Sequence, residues 1–112
     1  MRDAANYIKA AQLEQRVANE AKPLLVCFIR KNFAPAERLL GALSALPAEW
    51  EQKLTRVCID VDEDPERMDA LRVFKIPEMM LYASGRIVER SEGEQDLESL
   101  QAWLDYTLSR IQ

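Results

Sequence analysis

The chain contains no histidine and two cysteines, Cys27 and Cys58, among its 112 residues. The lack of histidine excludes Ser-His-Asp and Cys-His catalytic triads as well as His-rich metal sites, and two cysteines are too few for a four-Cys zinc site. We therefore expect no metal site and no bound cofactor. The 19 Asp and Glu residues are scattered along predicted solvent faces, so we do not expect a carboxylate active site either.

Basic residues are in the minority, with 15 Lys and Arg against 19 Asp and Glu and a formal net charge of −4. An acidic chain is a poor partner for polyanions, so we expect a protein or peptide partner and neither nucleic acid nor membrane. No stretch approaches the roughly 20 consecutive apolar residues of a membrane span, and the N-terminus lacks the apolar core of a secretory signal. The expected location is the cytoplasm. The oligomeric state stays open.

The length and composition predict one globular domain over residues 1–112. Hydrophobic residues make up 48% of the chain and charged residues 30%, which is the profile of a soluble domain with a core. There are no internal repeats and no Gly/Ser linkers that would separate a second domain.

Hydrophobic periodicity predicts alternating helices and strands. The predicted elements are a helix over 10–21, a strand over 24–29, a helix over 36–45, a strand over 54–61, a short helix after Pro65, a hairpin of strands 78–83 and 86–90, and a last helix capped by Asp96. Residues 7–8 are either a short edge strand or the first turn of the first helix. Two βα crossovers followed by an antiparallel pair predict a mixed sheet with helices on both faces. We expect the methionines Met68, Met79 and Met80 in the core.

This order of elements resembles the thioredoxin superfamily. The local marks are the strand and turn over 26–35, the strand over 54–62, Ile76-Pro77, the Ser84-Gly85 turn and Gly93. The resemblance implies an α/β thioredoxin fold with a mixed four- to five-stranded sheet flanked by helices on both faces. Where the family carries Cys-Gly-Pro-Cys, however, this chain carries Phe33-Ala34-Pro35-Ala36. Dithiol exchange needs one thiol to attack and a second to resolve, so we expect no dithiol oxidoreductase activity from this motif.

The resemblance also implies a binding surface. In the family, the proline matching Pro77 follows a cis peptide bond, and the backbone of the residue before it pairs with an extended substrate. Alternatively, Pro77 simply begins a strand and Phe33 packs down onto the core. Glu78, with Arg30 and Lys31 nearby, either sets a charge preference or forms a solvated ion pair. The residues predicted to contact a peptide or protein partner are Asn32, Phe33, Pro35, Ile76, Pro77 and Glu78.

By the same resemblance, Cys27 stands where the family has a buried aspartate that assists proton transfer, and Cys58 where it has a buried lysine. Cysteines tolerate apolar surroundings without the desolvation cost of charges. We therefore favour buried structural cysteines. The alternative is a redox pair, since neighbouring strands lie about 4.8 Å apart, within the Cα range of disulfides, although parallel side chains are poorly oriented for the bond.

Three functional hypotheses follow. The first is a redox-inactive, non-enzymatic, chaperone-like or assembly module that binds a partner through the surface around Pro77. The second is an atypical thiol redox protein or sensor that uses Cys27 and Cys58. The third is a structural subunit that buries the face of the last helix carrying Trp103 and Tyr106. The sequence favours the first because both thiol positions of the motif are lost.

Overall fold

The strands of the protein form one mixed sheet. A computed structural model describes residues 6–111, and within this range four strands lie in the order β2-β1-β3-β4. The strands are β1 (Leu24–Ile29), β2 (Thr55–Asp60), β3 (Glu78–Ala83) and β4 (Arg86–Glu92). β1 runs parallel to β2 and antiparallel to β3, and β3 pairs antiparallel with β4. The predicted mixed sheet is therefore confirmed, and the described residues supply four strands.

The first strand is the centre of the molecule because its sequence, Leu-Leu-Val-Cys-Phe-Ile, has no polar face. All six residues of β1 are buried, as expected of a strand that is covered by helices on both sides. Met79 and Met80 on the adjacent β3 are also fully buried, and Met68 is buried on the helix before it. The prediction of core methionines is confirmed.

Helices cover both faces of the sheet, as predicted. They are α1 (Leu13–Asn19), α2 (Ala34–Ser44), α3 (Trp50–Lys53), α4 (Pro65–Ala70) and α5 (Leu97–Ser109), with 3-10 turns at Ala10–Gln12 and Val61–Glu63. Leu39 of α2, Trp50 of α3 and Leu104 of α5 pack in one core cluster, which we call the α2/α5 core. Leu13 of α1 and Met68 of α4 pack in a second cluster on the other face, the α1/α4 core.

Local sequence signals set the helix ends. Pro35 lies in the first turn of α2, where its missing N–H costs nothing. Asp96 caps α5 as predicted, since its Oδ1 accepts a hydrogen bond from the Ser99 backbone N–H at 2.8 Å. Asp64 caps α4 in the same way through the Arg67 backbone N–H. The short helix α3, which follows Pro47, was not predicted.

The segment before α1 is extended and pairs with the edge of β2. The Cys58 N–H donates to the Asn6 carbonyl and the Ile8 N–H donates to the Cys58 carbonyl, both at 2.9 Å. Tyr7 and Cys58 thus form an isolated parallel bridge, which decides the open choice at residues 7–8 in favour of an edge strand. Residues 1–5, where the sequence predicts no secretory signal, lie outside the described range. None of the helices within 6–111 is long and apolar enough to cross a membrane.

Candidate functional site

The turn after β1 and the segment before β3 lie at the same end of the sheet. Phe28 near the end of β1 pairs with Glu78 at the start of β3 in an antiparallel register, so the chain leaves β1 and enters β3 at this end of the sheet. The peptide bond between Ile76 and Pro77 is cis. The prediction of a cis-proline next to the turn is therefore confirmed.

The six residues predicted to contact a partner differ in exposure. Asn32 is exposed with a backbone φ of 61°, and Phe33 and Pro35 are half-buried at the start of α2. Pro77 is buried, so the prediction that its side chain contacts a partner is wrong. Phe33 packs against the α2/α5 core, whereas Ile76 packs against the α1/α4 core. The two apolar side chains thus bury opposite faces of the sheet, and only their exposed parts can form a common surface.

Asn32 also belongs to a groove of its own. It lines a cavity of about 270 Å³ together with Tyr7, Arg30 and Lys31. The Arg30 Nε donates to the Asp62 carboxylate at 3.2 Å, and Lys31 Nζ lies 3.9 Å from Asp60. The basic side chains after β1 are therefore paired with acidic residues at the end of β2 and just after it.

Glu78 corrects the sequence analysis. Its side chain is fully buried, and its Oε2 accepts a hydrogen bond from Arg90 Nε at 2.6 Å. Arg30 and Lys31 have other partners, so the predicted solvated ion pair between Glu78 and these residues is wrong. The Glu78 carboxylate is therefore not accessible to a binding partner, and Arg90 on β4 already neutralises its charge.

Arg90 is a functional candidate that the sequence analysis missed. Besides binding Glu78, it donates from Nη2 to the carbonyl of Arg72 at 2.8 Å. One arginine thus ties both ends of the loop between α4 and β3, which carries Ile76 and Pro77. Phe74 in this loop is 66% exposed. No sequence pattern identifies either residue. Arg90 fits the alternation of polar and apolar residues in an edge strand, and Phe74 is of a residue type that usually lies in the core.

The two cysteines are direct neighbours in the sheet. Cys27 pairs with Cys58 in the register of β1 and β2, and both side chains belong to the α2/α5 core. They are 0% and 1% exposed. Both are free thiols. The predicted burial is confirmed, and the two residues are direct neighbours across the β1–β2 pair.

The environment of the pair favours the protonated thiol. The hydrogen bond with Cys58 and then burial raise the pKa of the Cys27 thiol well above its ordinary value, while the charge of Arg56 acts in the opposite direction. The Arg56 guanidinium is held near the end of α2, where its Nη1 donates to the Leu43 carbonyl at 2.6 Å. Since the thiolate is the reactive form, Cys27 reacts slowly at neutral pH and only with reagents that reach the core.

Comparison with known proteins identifies the family. The sequence profile for thioredoxin matches residues 4–106. Chloroplastic thioredoxin X of Arabidopsis thaliana is 30% identical over 106 residues, 93% of this chain and 58% of that protein, so this chain spans little more than half of that relative. Thioredoxin of Acidithiobacillus ferridurans is 26% identical over 108 residues, 96% of this chain and 100% of the relative.

Among solved structures, chloroplastic thioredoxin z matches with a TM-score of 0.81 and 24% identity, covering 97% of this chain and 98% of that chain. Its structure is described as defining a novel type-specific target recognition. The predicted thioredoxin fold is thereby confirmed.

These relatives overturn the first functional hypothesis. They are thioredoxins, which are dithiol oxidoreductases that interact with protein targets. The predictions of a redox-inactive, chaperone-like module and of a protein without enzymatic activity are therefore wrong, and the alternative based on Cys27 and Cys58 fits better. The predicted cytoplasmic location is not confirmed, since one relative is chloroplastic. The profile match over most of the sequence shows that the chain belongs to the thioredoxin family.

Proposed function

We propose that this protein is a thiol redox protein whose redox couple is Cys27 and Cys58. The observation that carries the proposal is the direct pairing of these two residues on β1 and β2, with both side chains buried in the α2/α5 core. The chain has no other cysteine, so a dithiol function in this family member falls to this pair. The strand spacing of about 4.8 Å lies within the Cα separation that disulfides accept.

Because Cys27 and Cys58 are buried, only a small oxidant can react with them in the folded protein. A protein disulfide cannot reach sulfurs that are 0% and 1% exposed, whereas hydrogen peroxide is small enough to enter through a transient opening. One thiolate attacks the O–O bond, giving a sulfenic acid and releasing water after protonation. The second thiol then displaces a second water as the disulfide forms. The two electrons reduce the peroxide, and a small dithiol such as dithiothreitol returns the pair to its reduced state.

The protein target is engaged, in this proposal, at the end of the sheet around the cis-proline. Asn32, Phe33, Pro35 and Ile76 supply this surface. The buried Pro77 sets the path of the backbone beneath it, and Glu78 supports it from within through Arg90. Among the described residues, the backbone groups from Phe74 to Ile76 make no hydrogen bond. Free backbone donors and acceptors beside an apolar surface suit the addition of an extended peptide. Cys27 lies on β1, the strand that leads directly into the turn at Asn32. A change in the position of β1 on oxidation would therefore move this surface.

The same proposal treats residues 1–112 as a single domain. A reducing compartment, the cytoplasm in the simplest case, suits a chain whose two cysteines do not form a disulfide framework of the secreted type. Nucleic acid is not a partner in this proposal, because the net charge is −4.

Peroxide treatment followed by alkylation tests the function. Native protein is incubated with hydrogen peroxide, unfolded, labelled with a maleimide and weighed by mass spectrometry. We expect an unlabelled species two hydrogen atoms lighter, which takes up two labels after dithiothreitol. The rate should rise with pH because the thiolate is the attacking form. Oxidised glutathione, being bulky, should react far more slowly with the native protein than with the unfolded one.

Single cysteine variants are the controls. Cys27→Ala and Cys58→Ala each keep one buried thiol, so neither should form the intramolecular disulfide. The proposal fails if the wild-type protein takes up two labels after every peroxide exposure that leaves its methionines unoxidised. It also fails if oxidation yields only disulfides between chains.

A further inference from the structure

Phe74 is an unusual residue at the surface. With 66% of its side chain exposed, it is the most exposed of the large hydrophobic residues in the described part of the chain. A single exposed apolar residue needs no explanation. Phe74, however, lies two residues before Ile76 in the loop that ends at the cis-proline.

The loop around Phe74 is fixed on both sides. Before it, the Val73 N–H donates to the Met68 carbonyl at 2.9 Å, and the Val73 side chain is 5% exposed. Arg72 has a left-handed φ of 61°, and Arg90 holds its carbonyl. After it, the Pro77 carbonyl accepts from the Gly93 N–H at 2.7 Å. The chain therefore presents Phe74 from an ordered loop, which lowers the entropy cost of binding through it.

Positive charge without a counter-ion flanks this aromatic ring in the sequence. Arg72 and Lys75 are exposed, and neither forms an ion pair with any residue in the range 6–111. At the neighbouring turn and strand, by contrast, Arg30, Lys31 and Arg90 have acidic partners. A partner with carboxylates on either side of an apolar side chain would complement both charges and the ring.

We propose that Phe74, Arg72 and Lys75 form a docking site for an extended acidic segment of the protein target that carries one apolar side chain between carboxylates. The site rests on the proposed function for the existence of a protein target, and it adds the chemistry by which that target is selected. The apolar side chain packs on Phe74, and the carboxylates pair with the two basic residues. The free backbone from Phe74 to Ile76 pairs with the segment.

Fluorescence anisotropy with three labelled peptides tests this site. The probes are Gly-Asp-Glu-Leu-Glu-Asp-Gly, its neutral counterpart with Asn and Gln, and its basic counterpart with Lys and Arg. We expect the acidic peptide to bind about tenfold more tightly than the neutral one, and the difference to shrink as salt is raised. Phe74→Ser should weaken binding of the acidic peptide by about tenfold.

Two further variants sharpen the result. Tyr106→Ser removes an aromatic side chain that is 58% exposed on α5 and should leave binding unchanged. The double variant Arg72→Glu and Lys75→Glu should reverse the preference towards the basic peptide. Circular dichroism confirms that each variant is folded.

Several outcomes overturn the site. Equal binding of the acidic and neutral peptides, or unchanged binding in Phe74→Ser, would show that the loop does not select an acidic segment. Self-association in sedimentation that Phe74→Ser abolishes would assign the surface to a second copy instead. If selectivity is absent while Cys27 and Cys58 still form their disulfide, the docking site fails and the redox function stands. If the disulfide never forms while selectivity for the acidic peptide persists, the redox function fails and the docking site stands.

Discussion

Removing Arg90 should destabilise the protein strongly, because it leaves a buried charge without its partner. The Glu78 side chain is 0% exposed and that of Arg90 is 34% exposed, with 2.6 Å between Oε2 and Nε. The second oxygen of Glu78, Oε1, has no hydrogen-bond partner within the described residues. Breaking a buried ion pair from one side costs about 3–5 kcal/mol. Because Arg90 is one-third exposed, we expect Arg90→Met to lower the free energy of unfolding by about 3 kcal/mol, near the lower end of that range.

Urea unfolding followed by circular dichroism measures this loss. With an m-value of about 2 kcal/mol per M, typical of a small domain, the midpoint should fall by about 1.5 M. Arg38→Met is the matched control, since Arg38 pairs with Glu94 at 2.6 Å on the surface, and it should shift the midpoint far less. Adding Glu78→Gln to Arg90→Met removes the stranded charge and should recover part of the loss. The reasoning is refuted if Arg90→Met costs no more than Arg38→Met, or if the second substitution recovers nothing.

Two further predictions concern the core. The hydrogen bond with Cys58 and burial raise the pKa of Cys27 in the folded protein. As pH rises, the unfolded chain therefore loses this proton first, above its thiol pKa of about 8.5. The contribution of Cys27 to the free energy of unfolding is complete below that pH and falls above it by up to about 1.4 kcal/mol per pH unit. Urea midpoints between about pH 8 and pH 9.5 should therefore fall with pH, and less steeply in Cys27→Ala; equal slopes would contradict the assignment. Leu104→Ala, at a position that is 0% exposed on α5, should cost about 3 kcal/mol in the same assay, whereas the exposed neighbour Asp105→Ala should be near neutral.

Much of the fold can be predicted from local sequence patterns. The continuous apolar run of β1 predicts its burial on both faces, and the Asp96 cap marks the first turn of α5. The cis bond before Pro77 follows from the family resemblance. These features depend on residues that are close together in sequence, or on an order of elements that one fold accommodates.

The environment of the site depends instead on distant residues. Glu78 meets Arg90 only after the β3–β4 hairpin closes, and the register shifts between Leu81 and Tyr82, so simple alternation does not identify the pair. Phe74 is an apolar aromatic residue of the kind that usually lies in a core, yet 66% of its side chain is exposed. No local pattern signals either contact.

The functional prediction failed for a related reason. Loss of both thiols from the turn at Phe33 and Ala36 excludes dithiol exchange at that motif, but it does not exclude a dithiol elsewhere. Cys27 and Cys58 are far apart in sequence and become neighbours only because β1 and β2 pair in parallel. The motif bears only on the turn at Phe33, whereas the redox couple that we propose depends on the pairing of β1 with β2.

A thiol–disulfide equilibrium titration tests the central claim most directly. Reduced protein and peroxide-oxidised protein are each incubated in buffers of increasing ratio of oxidised to reduced dithiothreitol until the two samples agree, then quenched with acid and mapped by mass spectrometry without reduction. We predict one two-electron transition in which the peptides carrying Cys27 and Cys58 become linked to each other, and which reverses when the ratio is lowered. Two free thiols at every ratio that leaves the protein folded would contradict the assignment of this pair as the redox couple.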